Sequence, residues 1–211
     1  MDREEHWERV YGAKPATQVS WYAPHLERSI RIIRAVAHPP AEIIDVGGGA
    51  STLVDDLLAL GYTNVSVLDI SSTALAAAKA RLGAQAAMVK WIVGDVTSMD
   101  LPREEYDVWH DRAAFHFLTE PADRRDYVEL ATSSLKVGAH AILAAYSLEG
   151  PTHCSGLDVV RYSAETMNRE LGPAFALQQE THESHRTPSG AEQKFIYCLF
   201  ERVKVSNREH G

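Results

Sequence analysis

Cysteine, excess positive charge and long apolar runs are all scarce in this sequence, and each scarcity removes a class of protein. Cys154 and Cys198 are the only thiols in 211 residues. Two isolated cysteines support neither a disulfide framework nor a zinc site, so no metal is expected. Lys and Arg number 21 against 29 Asp and Glu, a formal net charge of −8. A chain of that sign lacks the electrostatic footprint of a nucleic-acid binder. Its clustered cations, Arg31/Arg34 and Arg124-Arg125, read as solvated helix faces. No window approaches the roughly 18 consecutive apolar residues that a membrane span needs. The opening Met1-Asp2-Arg3-Glu4-Glu5-His6 is too polar for a secretory leader. The expectation is a cytoplasmic protein that binds neither membrane nor nucleic acid. Repeats, linkers and low-complexity stretches are also missing, so residues 1–211 read as one domain with a substantial core.

What is present is an alternation. Residues 1–24 stand apart, with Trp7, Tyr11, Trp21 and Tyr22 set among polar residues. Glu4, Trp7 and Tyr11 have helical spacing. This segment reads either as a helix capping the core or as a lid whose rings face a ligand. A helix is expected over 25–38, ended by Pro39-Pro40, which makes 1–38 an N-terminal helical cap. From there strands are predicted at 43–46, 65–70, 88–93, 106–110 and 140–146. Helices are predicted at 51–60, 71–82 and 121–135, the second capped by Ser71 or Ser72 and closed by Gly83. Strands alternating with helices imply a mostly parallel, doubly wound α/β sheet with helices on both faces. The end differs. A short helix at 163–171 precedes strand-like runs at 174–183 and 194–203, joined by Thr187-Pro188-Ser189-Gly190. Runs joined so closely pair antiparallel. Residues 39–211 thus predict a seven-stranded sheet with a C-terminal hairpin.

The chemistry concentrates at strand ends. Glu42-Ile43-Ile44-Asp45-Val46-Gly47-Gly48-Gly49-Ala50-Ser51 is a strand running into a turn where a ligand can lie against bare backbone. The third glycine of the dinucleotide fingerprint is replaced by Thr52, so no pyrophosphate site is specified. A wide turn of this kind suits an aminoacyl tail and a sulfonium, with Asp45 placed to order the turn or meet an ammonium group. Asp69 ends the second strand, where a carboxylate accepts from both ribose hydroxyls. It lies 20 residues beyond Gly49, which fits a nicotinamide nucleotide equally well. Asp95, in Gly94-Asp95-Val96, separates the two: its carboxylate can accept from an adenine amino group while the Val96 amide donates to the ring. The trio favours S-adenosylmethionine.

Residues 40–146 resemble class I S-adenosylmethionine-dependent methyltransferases, and the terminal hairpin fits that likeness. The resemblance implies that Asp45 to Ser51, including Gly47, Gly48 and Gly49, hold the aminoacyl portion. It assigns Asp69 and Ile70 to the ribose, and Gly94, Asp95 and Val96 to the adenine. Trp21 and the Asp111-Arg112 pair join the cofactor set. The segment from Trp7 to Tyr22 is similar to the aromatic opening segment of thiopurine and tellurite methyltransferases, and to that of small protein-lysine methyltransferases acting on translation factors.

Methyl transfer is an in-line displacement that needs alignment and exclusion of water. A base is required only when the acceptor starts protonated. The acceptor side should follow strand four, at Asp107-Val108-Trp109-His110-Asp111-Arg112-Ala113-Ala114-Phe115-His116-Phe117. The Asn/Asp-Pro-Pro-Tyr/Phe tetrapeptide of nucleic-acid amino methylation is absent. The Asp-Lys-Gly-Thr of lysine methyltransferases is matched by its acid and cation but not by its glycine and hydroxyl. Asp111 and His116 are the titratable candidates beside the transferring methyl, with His110 on the opposite side of the strand. Tyr146, His153 and Cys154 follow strand five over the same rim. The leading expectation is transfer to a small-molecule acceptor. Protein-lysine methylation and a nicotinamide- or nucleotide-binding role are the alternatives.

Overall fold

The computed structural model describes residues 2–205. The chain opens with helix α1 (Arg3–Ala13), whose N-terminus is capped by the Asp2 side chain accepting from the Glu4 N–H. Helix α2 (Glu27–Val36) buries Ile32 and Ile33 and leads into strand β1 (Glu42–Val46). The alternation then proceeds as α3 (Leu53–Ala59), β2 (Asn64–Asp69), α4 (Ser72–Leu82) and β3 (Val89–Val93). Strand β4 (Tyr106–Arg112), helix α5 (Pro121–Ser134) and strand β5 (Leu135–Tyr146) follow. Two-residue strands β6 (His153–Cys154) and β7 (Leu157–Asp158), helix α6 (Ala164–Leu171), β8 (Phe175–Arg186) and β9 (Glu192–Arg202) complete the order.

The seven long strands form one sheet in the order β3-β2-β1-β4-β5-β9-β8. The first five are parallel, and β9 joins β5 antiparallel with β8 outside it. The expected sheet and C-terminal hairpin are therefore borne out. The order reverses between β1 and β4, which opens a crevice at their carboxyl ends. Side chains alternate across the pleat, so β1 feeds both faces. Ile43 joins the core beneath α2, α3 and α4, while Ile44 and Val46 join the core beneath α5 and α6.

Three local features depart from the sequence expectation. Strand β4 continues two residues past His110 because Asp111 and Arg112 still pair with Leu143 and Ala144. Strand β5 starts at Leu135, directly after α5, since Leu135 pairs with Tyr106 across a register shift and Gly138 bends the strand at φ 84°. The β6–β7 hairpin turns at Ser155 and Gly156, both with positive φ (51° and 80°), the conformation that two-residue hairpin loops favour. Ser71 caps α4 by accepting from the Ala74 N–H, and Gly83 ends that helix with positive φ.

Beneath α5 a buried polar chain pins β4 to the helix. The Trp109 indole N–H donates to the Tyr127 hydroxyl at 2.8 Å, and that hydroxyl donates to Asp111 Oδ2 at 2.8 Å. Tyr127→Phe would leave the indole N–H unpaired and remove one donor from a buried carboxylate. A loss of about 1–3 kcal/mol is expected, read in urea unfolding as a lower midpoint at unchanged slope.

Candidate functional site

A cavity occupies the crevice at the strand ends. Its floor is the turn after β1, lined by Asp45 to Gly48, Ala50 and Ser51, flanked by Leu68, Asp69 and Ile70 at the end of β2 and by Gly94, Asp95 and Val96 after β3. His110, Arg112, Ala113, Ala114 and Phe117 contribute from the β4 side, with Tyr146 and Cys154 beyond them. Arg3, Trp7, Tyr11 and Trp21 of the N-terminal segment close the remaining wall. The floor is bare because nothing larger fits. Gly47 and Gly49 have φ of 65° and 44°, in the region that disfavours side chains. A Cβ on Gly48 would lie 2.6 Å from Asp45 Oδ2, and one on Gly49 would lie 2.7 Å from the Tyr11 hydroxyl. A Cβ on Gly47 would overlap that of Ala114.

The structure brings the three expected acids to this one cavity. Asp45 is 3% exposed. Its Oδ1 lies 2.7 Å from His110 Nδ1, whereas its Oδ2 is buried without a partner in the protein. Asp69 accepts from the Ser71 N–H at 2.8 Å. Burial pushes its carboxyl up to about 7, with the Asp45 charge adding to the rise and the Ser71 N–H opposing it. Asp95 accepts from the backbone N–H and hydroxyl of Thr97, and its Oδ2 lies 3.5 Å from the Arg3 guanidinium. These residues fit an adenosine carrying an ammonium-bearing chain. The orphaned Asp45 oxygen lacks a cationic donor, Asp69 has acceptor capacity left for hydroxyls, and the glycine floor admits the chain. No group of three or more His, Cys, Asp or Glu among the described residues is arranged to hold a metal ion.

Asp111 and His116, the candidates expected beside the transferring methyl, do not line the cavity. Strand alternation sends Asp111 to the α5 side, where it accepts from the backbone N–H groups of Ala114 and Phe115 as well as from Tyr127. Burial raises its carboxyl to about 6 even so. It orders the turn after β4, in which Ala113 takes φ 73°. His116 is fully buried, and its Nδ1 accepts from the Tyr146 N–H at 3.3 Å. Burial, helped by the nearby Arg112 charge, lowers it to about 3, so it stays neutral at physiological pH. His110 and Arg112, not Asp111, are the β4 residues that reach the cavity. His110 stands in register with Asp45 on β1.

The half of the cavity away from the three acids is built from rings and Arg112. Trp7 packs against Trp21 at 5.8 Å and Phe117 at 4.9 Å between centroids, and Tyr11 packs against Trp21 at 6.0 Å. Arg112 donates to the Tyr197 hydroxyl and the Trp21 carbonyl, and its guanidinium lies 4.7 Å from the centre of the Phe195 ring. The Tyr146 hydroxyl donates to Cys154 Sγ at 3.4 Å. Helix α1 is tied over the cavity at its first turn and at its middle. Arg3 reaches Asp95 and Asp123, and Glu8 accepts from the Thr73 N–H at the start of α4. Sequence reasoning did not anticipate Arg3, because its partners lie more than ninety residues away.

The methyltransferase-domain family matches residues 43–138. Mouse eEF1A lysine and N-terminal methyltransferase is 24% identical over 108 residues, 51% of this chain but 15% of that protein. The chain thus spans less than a fifth of the length of the curated relatives it matches. A structure solved for the conversion of a disulfide bond into a thioacetal group during echinomycin biosynthesis superposes with a TM-score of 0.78. It is 19% identical, over 98% of this chain and 94% of that one. The Burkholderia thailandensis 1,6-didemethyltoxoflavin-N1-methyltransferase, bound to its acceptor and S-adenosylhomocysteine, superposes with a TM-score of 0.69. It is 14% identical, over 95% and 84% of the two chains. These likenesses establish the fold, and the family match covers the strands that carry the three acids. Residues 43–138 therefore carry a methyltransferase domain, on a fold shared with solved S-adenosylmethionine-dependent methyltransferases.

Proposed function

We propose that this protein transfers the methyl group of S-adenosylmethionine to a small-molecule acceptor held between the N-terminal rings and Arg112. The observation that carries the reading is the division of charge in the cavity. Its lining carboxylates, Asp45, Asp69 and Asp95, all lie along the cofactor edge, whereas Arg112 is the charged group on the acceptor side. Glu183, 3.7 Å from the Arg112 guanidinium, partly offsets that charge but does not line the cavity, so a lysine ammonium entering there meets a cation and no lining carboxylate, while an aromatic or anionic acceptor meets stacking surface and a guanidinium. Bound S-adenosylmethionine supplies an electrophilic methyl on a sulfonium. Asp45 with the glycine turn holds its aminoacyl chain, Asp69 and Ile70 hold the ribose, and Asp95 and Val96 hold the adenine. Trp7, Tyr11 and Trp21 orient the acceptor and exclude water. Neither Asp111 nor His116 lines the cavity, so alignment carries the catalysis, and the acceptor's nucleophilic atom arrives with a free lone pair. Protein-lysine methylation is the second reading. It is favoured by the likeness to the eEF1A methyltransferase.

An acceptor panel tests the choice. Transfer to thiols, phenols or aromatic heterocycles, with no labelled protein when radioactive cofactor is added to lysate, is the expected outcome. A labelled protein band without any small-molecule turnover would reverse it. Arg112→Met should raise the KM of an anionic acceptor more than that of a neutral one.

Asp95→Ala should weaken S-adenosylhomocysteine binding about ten- to a hundredfold by calorimetry. Unchanged affinity would remove Asp95 from the adenine. Asp69 gives a second, opposite-signed pair of effects. Its carboxyl titrates near 3.8 in the unfolded chain and near 7 in the fold, so folding takes up a proton between those values. Stability contributed by the protonated group is complete below about pH 4 and is lost as pH rises through about 7. Asp69→Asn removes that loss. Without cofactor, the variant should gain on the parent by about 1–3 kcal/mol between pH 4 and pH 8, while binding the nucleoside more weakly. A stability difference that is flat with pH would contradict the assignment.

A further inference from the structure

Beside the glycine turn lies a buried chain of three polar side chains, of which Asp45 and His110 line the cavity and Ser29 does not. Ser29 of α2 is fully buried, and its hydroxyl lies 2.8 Å from His110 Nε2. His110, 1% exposed, places Nδ1 2.7 Å from Asp45 Oδ1. Asp45 then presents Oδ2, buried and unpartnered, at the cavity wall. A carboxylate so deeply buried is costly unless hydrogen-bonded. Gly48 beside it has no side chain, which leaves the room that Oδ2 occupies. The contact that fixes Oδ1 is the imidazole, and the imidazole is fixed by Ser29 on one side and by the β1–β4 register on the other.

We propose that His110 and Ser29 are positioning residues for S-adenosylmethionine, acting through Asp45: they hold one carboxylate oxygen so that the other faces the ammonium group of the cofactor's aminoacyl chain. This rests on the assignment of Asp45 to that chain. Of the neutral tautomers, only the one with the proton on Nδ1 satisfies the geometry, since the other sets a bare nitrogen against the carboxylate. With the proton on Nδ1, the ring donates to Asp45 and accepts from the Ser29 hydroxyl; when doubly protonated, it donates to both. The role assigned to the ring is to position Asp45, not to move a proton. Its effect is confined to the aminoacyl end of the ligand, because Asp69 and Asp95 are held by other groups, Ser71, Thr97 and Arg3.

The confinement makes the role measurable. Methylthioadenosine has the adenosine and sulfur of the cofactor product but no aminoacyl chain. Calorimetric titration of S-adenosylhomocysteine and methylthioadenosine into the full chain separates positioning from general damage. His110→Leu should weaken S-adenosylhomocysteine about tenfold while leaving methylthioadenosine within about twofold, a change too small to register as a lost hydrogen bond. His110→Gln, whose amide can donate to Asp45 and accept from Ser29, should restore most of the loss. Ser29→Ala should reproduce the selective loss at smaller size, and it serves if His110→Leu does not fold. Equal weakening of both ligands in folded variants, or unchanged S-adenosylhomocysteine affinity, would overturn the proposal. Asp45→Asn separates the two layers. Selective loss there without selective loss at His110 overturns the positioning role alone. Equal loss of both ligands in Asp45→Asn overturns the aminoacyl assignment, and the positioning role with it.

Discussion

Burying several carboxylates along one edge of a sheet is the constraint around which this molecule is organised. Asp45, Asp69 and Asp111 stand at the tips of β1, β2 and β4, each less than a tenth exposed, and Asp95 follows β3. Negative charges gathered in a poorly hydrated crevice repel one another, and each needs donors. The fold answers differently at each tip. Asp111 is saturated by two backbone N–H groups and a tyrosine, Asp69 leans on the start of α4, Asp95 on Thr97 and Arg3, and Asp45 on an imidazole. What differs among them is the acceptor capacity left over. Asp111 has none to spare and becomes scaffold, while the others retain some and face the cavity.

The same bookkeeping explains why β4 serves two purposes. Successive residues point to opposite faces, so His110 joins the cavity-side layer with α2 while Asp111 joins the α5 layer. Trp109 and Tyr127 anchor the second layer, and Ser29 anchors the first. The turn that follows is therefore held from both faces. It carries Arg112 and Phe117 into the half of the cavity away from the three acids without any loop of its own length to wander.

Much of this was legible in the sequence, and the failures have physical causes. Strand–helix alternation, the glycine turn and the acids at the ends of the first three strands are local signals, and the mostly parallel sheet with its terminal hairpin followed from them. The side of β4 that faces the cavity was not legible, because helices cover both faces and both alternating sets are buried. Periodicity separates His110 from Asp111 but does not say which one meets Asp45. Their register does, and register is a tertiary fact. The early start of β5 was hidden by its continuity with α5, where Leu135 is apolar in either reading. The Ser155-Gly156 turn carried a hairpin signal too short to stand out. The ties of α1 to Asp95 and Thr73 join distant parts of the chain, which composition alone cannot link.

The contact between Gly47 and Ala114 has its own bearing. The turn after β1 and the turn after β4 meet where a single added carbon has no room, so the two halves of the cavity are not separate modules. Recombination that imported a foreign acceptor loop would bring its own side chains against a floor shaped for alanine. Viable chimeras would inherit both turns from one parent, and lineages drifting toward new acceptors would change through the distal walls, Tyr146, Cys154 and the N-terminal rings, before touching this seam.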